Sequence, residues 1–141
     1  MPLGVAARPG PASLPSRLAS LRGVRIDQRP SKVLHLLPED DVPAVRDGAL
    51  RARDGAGLRH DQVVMARSAP LALAAVLGSN DLMLCSRAQA ESWGLRWRAL
   101  ADPALERVSV LIGDAEAVHA LDHADIGQSI AAALGAAEPG A

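Results

Sequence analysis

Arg67 and Ser68 stand at a junction. The run before them is apolar and β-branched (QVVMA, Gln62–Ala66), and the run after them, Ala69–Leu77, is rich in alanine and leucine. Read as a strand ending where a helix starts, this junction aims a hydroxyl and unpaired backbone N–H groups at one place. Such an arrangement suits an anion, because ligands of open α/β sheets sit beyond the carboxyl ends of strands and helix N-termini favour negative charge. The loop Gln28–Lys32, behind the alternating run Val24–Asp27, offers the same kind of site. A serine before a helix is also an ordinary N-cap, so the junction has a plain structural reading as well.

Other reactive residue types point less far. His119 and His123 are separated by one helical turn, a spacing at which two imidazoles can share a metal. The glutamate of an HExxH site is missing and no third ligand is evident, so they read as exposed helix residues and no metal is expected. His35 and His60 are isolated. The acidic Pro38–Asp41 (PEDD) suits a helix N-terminus. Cys85 is the one cysteine and lies in an apolar run, which makes it a buried structural thiol. There is no phosphate-cradling glycine loop and no Gly-x-Ser-x-Gly. We therefore expect neither an enzyme nor a cofactor.

The elements that must position the junction follow from breakers and periodicity. Pro9, Pro11 and Pro15 bar a helix before Ser16, leaving Pro2–Ala7 as a short strand, with a short helix over Ser16–Leu21 capped by Ser16. Val24–Asp27 alternates as a strand. Between Lys32 and Leu37, Val33, Leu34, Leu36 and Leu37 recur at helical spacing until Pro38. A second helix follows, capped by Asp40 or Asp41, with Pro43 in its first turn, Val42, Val45 and Ala49 on one face, and Gly55 or Gly57 as its stop. Next come strand Gln62–Arg67, helix Ala69–Leu77 and strand Asp81–Cys85, then helix Arg87–Ser92 capped by Ser86. Leu95–Leu100 and Glu106–Asp114 read as strands, and Glu116–Leu134 as a last helix. Such alternation predicts an α/β domain with a largely parallel or mixed sheet flanked by helices.

Composition narrows the function classes. The chain has 141 residues, 49% of them apolar, yet only two tryptophans and no phenylalanine or tyrosine. Ala, Leu and Val must fill the core. The formal charge of −1 argues against DNA contact by this chain alone. No apolar run approaches the ~18 residues of a membrane span, and no signal-peptide pattern opens the chain, so a cytoplasmic protein without a membrane partner is expected.

The order strand, serine, helix, glycine, strand in VVMARSAPLALAAVLGSNDLMLCSRAQAESWGLRWRALADP resembles the effector-binding domain of LysR-type transcriptional regulators. PLGVAARPGPASLPSRLASLRGVRID resembles the start of that domain's second subdomain, and GLRWRALADPALERVSVLI its late ribbon and crossover strand. Ser79, Asn80 and Cys85 stand where the family commonly has Gly, Gly and Pro. The resemblance implies a periplasmic-binding-protein-like second subdomain over 1–106. It makes 107–135 the returning strand and C-terminal helix of the first subdomain, and 136–141 a tail. It leaves no room for the family's DNA-binding helix-turn-helix. It also implies a cleft in which Ser31 and Ser68 offer hydroxyls while Arg29, Lys32 and Arg67 offer positive charge to a carboxylate-bearing small-molecule effector.

Two readings stay open from these residues. One is a ligand-sensing regulatory module. The other is an interaction fragment that dimerises with itself or with a full-length regulator. A homo-oligomer would also cover Ile112, Val118, Leu121, Ile126 and Ile130 if their own sheet is absent.

Overall fold

The computed structural model describes residues 1–22, 32–109, 112–123 and 129. Five strands form one sheet: β1 (Gly4–Ala7), β2 (Leu34–Leu36), β3 (Val63–Met65), β4 (Leu82–Cys85) and β5 (Arg96–Ala99), in the order β3-β2-β4-β1-β5. Helices α1 (Pro43–Gly55), α2 (Ala69–Gly78), α3 (Arg87–Ser92) and α4 (Ala115–His123) complete the described elements, with three single 3-10 turns between them.

The fold is α/β and its sheet is mixed. β2 runs parallel to β3 (Leu34↔Val63, Leu36↔Met65) and to β4 (Leu34↔Leu82). β1 is inserted antiparallel between β4 (Val5↔Leu84) and β5 (Val5↔Arg98). The two parallel pairings share β2, which follows from the helices: α1 carries the chain from β2 to β3, and α2 carries it back to β4.

Both faces of the sheet are covered, and strand alternation divides the core in two. Leu34, Leu36, Leu82, Leu84, Val5 and Val63 pack with Val45 and Ala49 of α1. On the other face Ala6, Met83 and Cys85 pack with Ala72 and Val76 of α2 and Ala90 of α3. A strand buried on both sides needs apolar residues at every position, which is why LMLC of β4 carries no polar residue.

Caps set the helix starts next to the sheet. Ser68 Oγ accepts from the Leu71 N–H at 3.3 Å, and Pro70 occupies the first turn of α2. Ser86 and Gln89 form a reciprocal capping box on α3, with Gln89 N–H to Ser86 Oγ at 3.2 Å and Ser86 N–H to Gln89 Oε1 at 3.1 Å.

Several expectations are corrected. Lys32–Leu37 is not helical; it contains β2. Leu34 and Leu36 go to one core while His35, half-buried on the opposite face, pairs with Asp81 at 3.0 Å. Period two wins because both neighbours of β2 supply ladder hydrogen bonds. Neither Asp40 nor Asp41 caps α1. Val42 precedes it without any side-chain cap and is 43% exposed rather than buried. Ser16 caps nothing: the turn begins at Leu18, and the Ser16 carbonyl instead accepts the Ala101 N–H at 2.8 Å.

Gly48, a poor helix former, lies against the core; a Cβ there would sit 2.9 Å from Leu105 Cδ2. The strand expected over Glu106–Asp114 is absent among its described residues. Glu106 makes one bridge to Pro2, while Val108 and Ile112 are 78% and 90% exposed. The strand expected at Val24–Asp27 lies outside the described residues, as do most of the residues expected to extend α4 towards Leu134.

Candidate functional site

Because β2, β3 and β4 are parallel, their carboxyl ends share one edge of the sheet. Three segments meet the solvent there: Leu37–Asp41 after β2, Ala66–Ser68 after β3, and Ser86 with the start of α3 after β4. The Ala66 N–H still reaches the Leu36 carbonyl at 2.8 Å, so β3 and its junction are held to β2 up to the point where the side chains of interest begin. Arg67 is exposed and makes no ion pair among the described residues. Ser68 is half-exposed. Its cap uses one oxygen lone pair, which leaves the hydroxyl hydrogen free to donate.

A buried polar cluster lies beside these loops. Asp40 is completely buried, and Arg107 grips it in a fork, Nε to Oδ1 at 2.8 Å and Nη2 to Oδ2 at 2.9 Å. The remaining Arg107 nitrogen, Nη1, donates to Gln89 Oε1 at 3.0 Å, and Gln89 Nε2 donates to Glu39 Oε1 at 2.8 Å. Gln89 thus joins the α3 capping box to the loop after β2. Burial pushes the Asp40 carboxyl above the usual carboxylate range, with the Arg107 hydrogen bonds and charge pulling against it. Burial likewise pushes the neighbouring Cys85 thiol up to about 12, which removes it as a nucleophile. A groove of about 440 Å³ borders the cluster, lined by Met1, Glu39, Ser86, Gln89, Ser92 and Arg107 among others.

The HTH-type transcriptional regulator BlaA of Streptomyces cacaoi is 38% identical to this chain over 136 residues, which is 96% of the chain and 42% of that protein. The likeness runs over nearly the whole chain and accords with the resemblance to a transcriptional regulator read from the sequence. The chain spans less than half the length of the curated relative it matches. No protein-family profile matches the chain, and no solved structure does.

The fold does not bring the sequence-predicted site residues together. Arg67 and Ser68 occupy the carboxyl end of β3. Lys32 precedes β2 and so lies at the opposite, amino edge of the same parallel strands. With Leu36 beside Met65, Lys32 and Arg67 are roughly 20 Å apart along the strand direction. Lys32 borders instead a cavity of about 260 Å³ with Arg8, Asn80, Asp81 and Arg96. Reading Val33–Leu37 as a helix had made Lys32 the end of a post-strand loop; it is the approach to a strand. Arg29 and Ser31 lie outside the described residues. Sequence reasoning missed Arg107 and Gln89 altogether and took Asp40 or Asp41 for a cap. The local signal for Asp40 was a carboxylate before Pro43, and nothing local announces a partner 67 positions away. Among the described residues, no three His, Cys, Asp or Glu side chains gather as a metal site. No described helix is long and apolar enough to cross a membrane.

Proposed function

We propose that this chain is a ligand-sensing part of a LysR-type transcriptional regulator, and that its effector is a small carboxylate. In this reading residues 1–106 form the periplasmic-binding-protein-like second subdomain, residues 107–135 return to the first, and the protein acts in the cytoplasm. DNA contact is made by no part of this chain. The observation that carries the reading is the shared carboxyl edge of β2, β3 and β4, where an exposed Arg67 guanidinium stands beside the Ser68 hydroxyl and the N-terminus of α2. A guanidinium, a hydroxyl and helix N–H groups are complementary to a carboxylate. Lys32 is too far from Arg67 to touch the same small molecule, and the site is proposed without Arg29 and Ser31, which lie outside the described residues.

A second reading, an interaction fragment that pairs with itself or with a full-length regulator, is favoured by α2. That helix is apolar all round, and its Leu71 and Leu77 are 59% and 49% exposed. The two readings are separable. Titration calorimetry with a panel of short mono- and dicarboxylates should find a binder whose affinity falls about tenfold or more in Arg67→Ala and in Ser68→Ala, as loss of charge-assisted hydrogen bonds requires. Sedimentation of both variants should leave self-association unchanged. If no carboxylate binds, or the best binder is indifferent to both substitutions, the ligand reading fails and the pairing reading takes its place.

A further inference from the structure

We propose that Arg107 is a positioning residue, a latch that fixes the segment leaving the sheet to the loops at its carboxyl edge. Among the described residues, one isolated bridge ties the chain to the sheet edge after Leu105, Pro2 to Glu106, made by the Leu3 N–H on the Leu105 carbonyl and the Arg107 N–H on the Met1 carbonyl, both at 2.9 Å. Beyond it Val108 and Ile112 are exposed, so neither of these side chains packs the segment onto the sheet. The Arg107 side chain does. It reaches inward to 13% exposure and is bound on all three nitrogens, twice by Asp40 of the loop after β2 and once by Gln89 of α3. Glu39 extends the same network through Gln89 and lies 3.9 Å from Arg107 Nη2.

Two features separate this arrangement from an ordinary surface ion pair. Asp40 is the charged residue buried most deeply among the described side chains, and Arg107 is the side chain among them that hydrogen-bonds its carboxylate. Gln89 is committed as well, because the oxygen it offers Arg107 also accepts the Ser86 N–H that starts α3. A movement of the Leu37–Asp41 loop or of the start of α3 therefore shifts the anchor of the outgoing segment, and the reverse holds equally. This coupling is independent of what the loops bind.

Amide hydrogen exchange on the whole chain tests the latch, comparing Asp40→Asn and Arg107→Lys with the parent. Asp40→Asn removes the carboxylate; Arg107→Lys keeps the charge but cannot form the fork. The expected result is exchange faster by about tenfold or more at Arg107 and its neighbours through Ser109, with a clearly smaller acceleration in Leu82–Cys85 of β4 in both variants. Equal acceleration in β4 would mean general loss of stability, and unchanged exchange at Arg107 would mean no anchor; either result overturns the proposal. Should Asp40→Asn fail to fold, Arg107→Lys decides alone.

Discussion

Arg107 holds Asp40 through two near-parallel hydrogen bonds of 2.8 and 2.9 Å, joining residues 67 positions apart at the carboxyl edge of the sheet. The pair is asymmetric, for Asp40 is wholly buried while Arg107 keeps an edge in water. Removing the cation alone strands a buried carboxylate. Arg107→Met should therefore cost about 3–5 kcal/mol, and Asp40→Asn less, because an amide still accepts from the guanidinium. The double variant Asp40→Leu/Arg107→Met should recover much of the loss. Urea denaturation of the three proteins measures all of this, and strict additivity of the two single losses would contradict it.

The same carboxylate sets a pH dependence. Burial, the largest influence, raises the Asp40 pKa above its ordinary 3.8 against the opposing pull of Arg107 and the Leu37 N–H, with Glu39 adding to the rise. A raised folded-state value means that the folded chain holds this proton more tightly than the unfolded one. Its stabilising contribution is complete below 3.8 and is lost as the pH rises through the folded value. Asp40→Asn lacks this titration. The parent should accordingly lose stability relative to Asp40→Asn as pH rises across that window, and a gap that widens in the other direction would refute the assignment.

Cys85 should be silent in the native protein. With its pKa pushed up to about 12 against an ordinary 9.0, it holds about a thousandfold less thiolate than a free thiol at neutral pH. It is also fully buried. Labelling with a disulfide reagent at pH 8 should proceed only as fast as the chain opens, and should become immediate in denaturant. Rapid labelling of the folded chain would contradict this placement.

Gly4 is where backbone space is scarcest. β1 sits between β4 and β5, and a Cβ on Gly4 would meet the Trp97 indole and the Arg98 carbonyl. That indole is itself fixed by its Nε1–H donating to the Cys85 carbonyl at 3.0 Å. Gly4→Ala should destabilise the fold by about 1–3 kcal/mol, the cost of overpacking, and change the Trp97 fluorescence. A neutral substitution with unchanged emission would show that the ring has room to move.

Much of this framework could be read from local signals. Ser68 followed by Pro70, and Ser86 followed three positions later by Gln89, place the starts of α2 and α3 where the caps are observed. β4 was legible as an apolar run too short for a helix. Lys32–Leu37 misled because five or six apolar-rich residues fit either period. The hydrogen bonds that decide for a strand come from β3 and β4, distant in sequence. That one error moved Lys32 to the wrong edge of the sheet. Asp40 illustrates the other limit: its local context is that of a helix cap, and only the tertiary fold brings Arg107 to it.

On the proposed function, ligand meets the carboxyl edge of the parallel strands. Amide chemical-shift mapping of the whole chain, during titration with the short carboxylate that binds best, tests it most directly. Perturbations are expected at Glu39–Asp41, Arg67, Ser68 and Ser86–Gln89, all absent in Arg67→Ala. Perturbations confined to Arg8, Lys32, Asn80 and Asp81 at the amino edge, or to Ala74 and Leu77 on the outer face of α2, would contradict it.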